Sequence, residues 1–399
     1  MLRNGRKPIA DDFVILDSQF PQKVPRAFRN SEINEYFRQI ENARSYAMFP
    51  MKPGRAAWFR HGYGVTRDEY DENVQGYLAV YPQNESRVRY LDPGQRYLFK
   101  LAYSFFLAET YVLLPFLERN RIPFTFVLYP GGAFGLDNPS SDAMLKRVLG
   151  SKYFRGVIVT QSLTRDYLLG KKLCAPDAVH FVYGGFSSFT ADEVRPRKNF
   201  PVDKLTFDLC FTAAKYSERG VDKGYDLFIA AAKLLYKKSE RFRFHVVGGF
   251  DETDIPAEEL GSAIQFYGYR NPDFLVDFYS RMDIALSPNR PNELYPGNFD
   301  GFPLSIDAAF CGVAMFASDP LNMNQFFTDR EDIVIVPTEA TGIADAIWHY
   351  FEHPEDLSEL ARRGGELAQR LFAIDSQVNR RIDVFETLVD LNFTSTHLT

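Results

Sequence analysis

The chain of 399 residues has few of the residue types that build disulfide frameworks and metal centres. It contains three cysteines and six histidines, and Cys174, Cys210 and Cys311 lie far apart in apolar surroundings. Disulfide-rich domains and zinc sites need several such residues at short, regular spacings. The sequence therefore predicts buried free thiols in a reducing compartment and no zinc site.

Surplus positive charge and uninterrupted apolar runs are also missing. The formal net charge is −6, which argues against a general nucleic-acid-binding protein, because such proteins rely on an excess of Lys and Arg.

The first residues include no apolar segment of the kind that a signal peptide needs. The most apolar stretch, residues 97–117, is interrupted by Lys100, Glu109 and Pro115. We expect a buried core helix there rather than a membrane span, with a helix at a membrane surface as the alternative.

The composition is that of a globular protein, with 45 % hydrophobic and 25 % charged residues, and the length suffices for two domains. Short apolar strands alternate with helical patterns in both halves, which predicts two parallel sheets with helices on both faces. A polar segment at 187–204 predicts a linker between them. After Val336 the pattern is helical to the end. The predicted strands are 13–16, 46–49, 77–81, 88–91, 124–129, 156–160 and 180–183, then 207–212, 244–247, 264–267, 283–286, 313–317 and 333–336.

The most informative stretch is residues 298–319, NFDGFPLSIDAAFCGVAMFASD. A polar loop is followed by apolar residues at helical spacing, by Gly312 where a helix would end in a left-handed cap, and by an apolar strand. The N-terminus of a helix that starts at a glycine-containing loop favours an anionic group such as a phosphate. Asp300 and Asp307 flank the first turns, and carboxylates accept hydrogen bonds from sugar hydroxyls. The stretch therefore predicts a site for a phosphorylated sugar or nucleotide.

This stretch resembles the donor-binding signature of retaining glycosyltransferases of family four, the glycosyl transferases group 1, which have the GT-B fold. The family motif reads roughly Glu-Gly-Phe-Pro/Gly, four variable residues, then Glu-Ala; Asp300, Gly301, Phe302, Pro303 and Asp307 fill its places here. Both acids are aspartates, and six residues separate them where the family has seven. The resemblance implies that Asp300 contacts the donor sugar and that Asp307 contacts the ribose hydroxyls.

A second basic segment follows the strand predicted at 207–212. Residues 213–226 carry Lys215, Arg219 and Lys223 together with two glycines, between a strand and a helix. Fixed cations stabilise the charge that develops on a departing diphosphate, without a metal. The family places a basic residue after this strand and a lysine before a glycine at the helix start, and Lys215 and Lys223 match these positions. The resemblance implies that these two lysines and Asp300 are the catalytic residues; an exposed charged loop is the alternative.

The remaining candidates are glycines that would let the backbone approach a ligand and side chains at predicted strand ends. Each of them alone is equally typical of a turn or a solvated loop. For the donor they are Gly248, Tyr269 near the nucleotide base and Arg290 near the phosphates; for the cleft face of the first domain they are Gly131, Gly132, His61 and Gln19. No Asp-x-Asp pair follows a strand, so we expect neither a metal nor a cofactor beyond the nucleotide-sugar substrate.

Taken together, these features predict an α/β protein of the GT-B class, with two doubly wound, Rossmann-like domains facing across a cleft. The expected parts are an acceptor-side domain (1–200), a domain that binds the nucleotide-sugar donor (201–375) and a C-terminal helix that packs back on the first domain (376–399). The resemblance implies a metal-independent, cytoplasmic glycosyltransferase, with peripheral association at the inner face of the membrane as a variant.

The implied reaction moves a sugar with retention from a nucleotide-diphosphate sugar to a glycan or lipid-linked acceptor, in bacterial polysaccharide assembly. Two alternatives stay open. One is a nucleotide-sugar epimerase of the same fold. The other is a catalytically degenerate subunit that binds glycan or a partner protein, which the shortened spacing between Asp300 and Asp307 leaves open.

Overall fold

The structure is a computed structural model that describes residues 7–22, 28–51, 63–194 and 204–389. The chain divides into two compact units. Unit 1 consists of Met1–Tyr183 and Gln377–Thr399, and unit 2 consists of Gly184–Ser376. The division thus falls at 183/184, where the composition suggested 200/201.

Unit 1 is built on one parallel sheet. Its strands are β1 (Ile9–Asp17), β2 (Arg44–Ala47), β3 (Val88–Tyr90), β4 (Tyr97–Phe105), β5 (Phe124–Leu128), β6 (Phe154–Val159) and β7 (Val179–Phe181). The helices that precede β7 in the chain are α1 (Phe28–Gln39), α2 (Arg67–Val80), α3 (Leu107–Asn120), α4 (Pro139–Leu149) and α5 (Ser162–Gly170). The strand order is β3-β2-β1-β4-β5-β6-β7, so the direction of winding reverses between β1 and β4, as in a doubly wound sheet.

Two predictions in this unit are wrong. The apolar stretch 97–117 is not one helix, because it forms β4 and then the first part of α3, with a turn at Phe106 (φ +56°) between them. Leu98 and Lys100 are exposed while their neighbours are buried, and this alternation is typical of a strand. Residues 101–105 are all buried, and in such a segment periodicity no longer separates strand from helix. The strand predicted at 77–81 is the end of α2.

The start of α2 is marked by a capping box in the sequence. Thr66 caps the helix by accepting a hydrogen bond from the backbone N–H of Glu69, and the Glu69 side chain accepts one from the backbone N–H of Thr66. This reciprocal pair is a capping box, and it can be read from the Thr-x-x-Glu spacing alone. The spacing therefore indicates a helix that begins at Arg67, and α2 continues to Val80.

Unit 2 repeats the architecture. Its strands are β8 (Phe207–Ala213), β9 (Phe242–Gly248), β10 (Ile264–Phe266), β11 (Ile284–Ser287), β12 (Ala314–Ala317) and β13 (Val334–Ile335). Its helices are α6 (Tyr225–Lys238), α7 (Pro272–Tyr279), α8 (Ile306–Phe310), α9 (Ala340–Glu352) and α10 (Pro354–Phe372). The parallel strands lie in the order β10-β9-β8-β11-β12-β13. Both halves are therefore doubly wound α/β sheets, which confirms the predicted fold class.

The polar segment predicted as a linker begins with residues that pack in unit 2. Phe189 is buried and lies in one apolar cluster with Cys210 and Tyr279. Composition concealed this contact because its aromatic ring is flanked in the sequence by serine and threonine. The start of the segment thus contributes to the core of unit 2.

The last helix, α11 (Ile374–Leu388), belongs to unit 1 from Gln377 onward. The ring of Phe385 lies 4.9 Å from that of Phe13 and 4.9 Å from that of Tyr103. Arg381 is fully buried and forms an ion pair with Glu32 of α1, which is also fully buried. The end of the chain therefore packs on the first domain, as the resemblance implied.

Among the helices of the described residues, none is both long and apolar enough to cross a membrane.

Candidate functional site

The candidate site lies at the carboxyl edge of the unit 2 sheet. Winding reverses between β8 and β11, and ligands of open α/β sheets bind outside the carboxyl ends of strands at such a point. The loop after β8 carries Lys215 and Lys223, and the loop after β11 carries Asn289, Arg290 and Asp300. The chain thus places both predicted motifs on the two loops that flank the reversal.

Lys223 and Asp300 contact each other across these loops, although 77 positions separate them in the sequence. The Lys223 Nζ lies 2.7 Å from the Asp300 Oδ2, and the Asn289 Nδ2 donates a hydrogen bond of 2.9 Å to the same oxygen. On another side, the Lys223 ammonium lies 4.9 Å from the centre of the Tyr216 ring. The predicted phosphate-binding cation and the predicted sugar-binding carboxylate are therefore neighbours.

The glycine that follows Lys223 is required by close packing. Gly224 has φ +72°, and a Cβ there would lie 2.1 Å from the carbonyl oxygen of Pro288. A side chain at this position would be strained by its dihedral and would also collide with backbone. Gly224 thereby lets the start of α6 contact the loop after β11, which brings Lys223 near Asp300.

Lys215 belongs to a second small group of residues. Its ammonium forms an ion pair with Asp254, and its backbone N–H donates a hydrogen bond of 3.3 Å to the Tyr269 hydroxyl. A Cβ on Gly249 would lie 2.8 Å from that hydroxyl, so the glycine is needed to admit the ring. The structure thus brings the predicted Lys215 and Tyr269 together.

Gly248 and Arg290 have evident structural tasks in this part of the unit. Gly248 has φ +128°, and a Cβ there would lie 2.0 Å from the carbonyl oxygen of Ala213. The Arg290 guanidinium makes two hydrogen bonds, of 2.7 and 2.8 Å, to the Asp226 carboxylate, and its Nε donates to the Val221 carbonyl at 3.2 Å. Arg290 therefore fastens the loop after β11 to the first turn of α6, and its contact with phosphate stays a prediction.

Asp307 contacts the segment that precedes β8. Its Oδ1 accepts hydrogen bonds from the Ser187 hydroxyl at 3.0 Å and from the Ser188 backbone N–H at 2.8 Å. Burial raises the pKa of Asp307, and these two hydrogen bonds oppose the rise. Sequence reasoning missed both serines because they lie in a segment whose polar composition indicated a linker. The ribose-binding role of Asp307 stays a prediction.

The other members of the predicted donor motif form the loop before α8. Phe302 is buried, whereas Gly301 and Pro303 are partly exposed. The helix that follows has five residues and starts at Ile306. The buried ring of Phe302 thus anchors the loop, while Gly301 and Pro303 on either side of it remain partly accessible to solvent.

The predicted residues of unit 1 lie at the corresponding edge of its own sheet. Gln19 lies two residues after the end of β1, and its backbone N–H donates a hydrogen bond of 2.7 Å to the Asp17 carboxylate. Gly131 and Gly132 follow β5, and a Cβ on Gly132 would lie 2.6 Å from the Phe106 side chain. His61 lies outside the described residues. Gln19 and the two glycines therefore follow the carboxyl ends of strands near the reversal between β1 and β4.

Sequence reasoning missed a buried charge cluster at that reversal. The guanidinium of Arg29, at the start of α1, pairs with Asp17 at the end of β1 and lies 3.2 Å from the Glu109 Oε2 in α3. The other oxygen of Glu109 accepts a hydrogen bond of 2.6 Å from the Ser18 backbone N–H. Asp17 and Glu109 are almost completely buried. The signal was available, because a glutamate inside an apolar run needs a charged or polar partner.

We expect this cluster to make stability depend on pH. Burial raises the pKa of Glu109 to about 7, opposed by Arg29, while the nearby Asp17 adds to the rise. Between the unfolded value and about pH 7 the folded state holds a proton that the unfolded state releases, so the free energy of unfolding falls as pH rises through this window. Tyr63, a further titratable group that interacts electrostatically with Glu109, has a pKa raised to about 12 and stays neutral there.

The Glu109→Gln variant keeps the shape of the side chain and cannot titrate. Its free energy of unfolding relative to the original protein should be higher at pH 7.5 than at pH 5, by on the order of 2 kcal/mol. Urea unfolding at the two pH values measures the difference. A variant whose relative stability is the same at both would show that Glu109 does not titrate in this range.

Comparison with known proteins gives a family for part of the chain. Residues 208–353 match the family model described as glycosyl transferases group 1. This segment contains Lys215, Lys223, Asp300 and Asp307, so the resemblance to glycosyl transferases group 1 is confirmed for the region that carries the motifs; the narrower assignment to family four stays a prediction. No curated protein sequence matches the chain.

Solved structures match nearly the full length of the chain at low sequence identity. Sucrose-phosphate synthase from Thermosynechococcus elongatus has a TM-score of 0.63 and 14 % identity, over 95 % of this chain and 99 % of that one. Anabaena HepE in complex with UDP has a TM-score of 0.64 and 13 % identity, over 94 % and 100 %. A glycosyltransferase from Rickettsia africae has a TM-score of 0.60 and 12 % identity, over 95 % and 98 %. These similarities confirm the GT-B fold.

Proposed function

We propose that this chain, whose residues 208–353 match the glycosyl transferases group 1, transfers a sugar from a nucleoside-diphosphate sugar to a glycan or lipid-linked acceptor. The observation that carries the proposal is the contact of Lys223 with Asp300 at the carboxyl edge of the unit 2 sheet. A cation for a diphosphate and a carboxylate for sugar hydroxyls lie there within one hydrogen bond of each other. A donor in which a diphosphate is joined directly to a sugar would bring a phosphate and sugar hydroxyls to two such neighbouring groups.

In the proposed reaction the bond between the anomeric carbon and the diphosphate oxygen breaks, and its electron pair stays with the diphosphate. The ammonium groups of Lys223 and Lys215 stabilise the negative charge that develops there. Asp300 accepts a hydrogen bond from a hydroxyl of the donor sugar and fixes its orientation. The departing phosphate takes the proton of the acceptor hydroxyl, which attacks from the same face, so that the configuration is retained.

No metal takes part in this scheme, because the two lysines supply the positive charge that a divalent cation supplies in other transferases. Uridine is the first base to test. Anabaena HepE, one of the structural neighbours, has been solved in complex with UDP and with UDP-glucose. The setting we propose is bacterial polysaccharide assembly.

A second candidate is a binding protein without turnover. It is favoured by Asp307, whose Oδ1 is engaged by Ser187 and Ser188 within the chain rather than left for a ribose. Such a protein would still bind a nucleotide through the lysines but would release no product from a nucleotide-sugar.

The test is a thermal-shift screen of the full chain with UDP, GDP and ADP and with their glucose conjugates, followed by calorimetric titration. A ligand that binds the folded state at a hundred times its Kd stabilises that state by about 2.7 kcal/mol, so a clear rise in Tm is expected for one nucleotide. If none of the three raises the Tm, the proposal is wrong. Release of nucleoside diphosphate from a conjugate separates the transferase from the inactive binder, and NMR of the product sugar reports its configuration.

A further inference from the structure

The ring of Tyr216 is exposed to solvent beside the candidate site. Tyr216 is 66 % exposed, and Tyr269 is the other tyrosine among the large exposed hydrophobic residues of the described part of the chain. The Lys223 ammonium lies 4.9 Å from the centre of the Tyr216 ring. At that distance a cation is attracted by the face of an aromatic ring.

The conformation of the loop produces this contact. Gly220, in the left-handed region at φ +63°, reverses the chain between the two residues. Its N–H donates to the Ser217 carbonyl, and its carbonyl accepts from the backbone N–H of Lys223 at 3.1 Å. The Ser217 hydroxyl donates to the carboxylate of Asp222, which is buried. The loop is thus closed by hydrogen bonds from both ends, and the closure brings residue 216 beside residue 223.

We infer that Tyr216 is a positioning residue for Lys223, which holds the ammonium at the place where a diphosphate is bound. This inference rests on the proposed function. Lys223 has two close partners among the described residues: the Asp300 carboxylate at 2.7 Å and the face of Tyr216. The carboxylate alone would leave the long lysine side chain free to rotate about it.

The ring restricts that motion from another direction. A lysine side chain loses considerable rotamer freedom when it is fixed, and a site that has already fixed it spends less binding free energy on ordering it. An ammonium over a tyrosine face is attracted by the ring quadrupole without giving up its own N–H donors. The N–H donors of Lys223 that Asp300 does not occupy therefore stay available to an incoming phosphate. A second carboxylate in place of the ring would compete for these donors and repel the phosphate.

The test compares three substitutions at this exposed position in the full chain. Tyr216→Phe keeps the ring, Tyr216→Leu keeps an apolar side chain without a π face, and Tyr216→Ala removes both. Each variant is titrated calorimetrically with UDP, GDP and ADP and with the nucleosides uridine, guanosine and adenosine. Because the nucleosides have no phosphate, they separate an effect on Lys223 from an effect on the base.

For the nucleotide that binds the original protein, the Ala and Leu variants should bind the diphosphate about fivefold more weakly. The Phe variant should bind it within about twofold of the original, and nucleoside affinity should be unchanged in all three. Equal diphosphate affinity in the original and Ala proteins overturns the inference. An equal loss of affinity for the nucleoside and for the diphosphate also overturns it, because that result would mean that the ring stacks on the base. If no nucleotide binds the original protein, the proposed function itself has failed.

Discussion

Replacing Lys223 with alanine is expected to lower the rate of nucleoside diphosphate release from the donor by about a hundredfold. The ammonium is the charge nearest to Asp300, and it is held in place before any ligand arrives. Removing a preorganised group that stabilises developing charge typically costs two to three orders of magnitude in rate. Affinity for the nucleotide should fall as well, because Asp300 would be left without its cation and would repel the diphosphate.

Lys237→Ala is the matched control for this variant. Lys237 lies in the last turn of α6, the helix that begins two residues after Lys223. Its side chain is largely exposed, and its Nζ is 3.4 Å from the Glu259 Oε2. A surface ion pair of this kind contributes little to stability, so the control should keep full activity and nearly the same Tm. Turnover and nucleotide titration are measured for both variants. Undiminished turnover in Lys223→Ala, with the fold intact by circular dichroism, would contradict the mechanism.

Replacing Arg381 with methionine is expected to lower the free energy of unfolding of unit 1 by about 3–5 kcal/mol. Arg381 and Glu32 form an ion pair in which both side chains are fully buried. Burial raises the pKa of Glu32, and Arg381 opposes the rise. Without the guanidinium, Glu32 must stay buried as an uncompensated charge or take up a proton, and both are costly.

The double variant Glu32→Leu/Arg381→Met distinguishes a lost pair from a lost packing contact. It removes both charges, so it should be more stable than Arg381→Met alone by about 1–4 kcal/mol. Arg380→Met changes the exposed neighbour on the same helix and should stay within about 0.5 kcal/mol of the original protein. Denaturant unfolding followed by circular dichroism measures all three. A single variant no less stable than the control would show that the buried pair does not hold α11 in place.

The strands and most helices could be predicted from sequence because their signals are local. Short apolar segments bounded by glycine, proline and polar residues gave twelve of the thirteen described strands at least approximately. The helical pattern predicted after Val336 corresponds to α9 (Ala340–Glu352), α10 (Pro354–Phe372) and α11 (Ile374–Leu388). The prediction for residues 97–117 failed because residues 101–105 are buried on both faces of the strand, which removes the periodicity that separates strand from helix.

The candidate site was predictable to the extent that its residues lie in short motifs. The Lys-Gly pair at the start of α6 and the Asp-Gly-Phe-Pro loop stood out because glycine and charge occur there together between a strand and a helix. Their order in the chain indicated the carboxyl edge of a parallel sheet. The structure then added two contacts of Lys223, one with Asp300 and one with the ring of Tyr216. No motif predicts either contact.

By itself, the sequence determined two doubly wound α/β halves and the two motif-bearing loops of the second half, because periodicity and turn chemistry act over a few residues. Only the tertiary structure decided which partner each charged side chain has. Arg290 is paired with Asp226 over 64 positions and Arg381 with Glu32 over 349, and Asp307 accepts a hydrogen bond from Ser187 over 120. Such partners are selected by the way strands and helices assemble, since a charge removed from water needs an opposite charge or a hydrogen-bond donor that only the fold brings within reach.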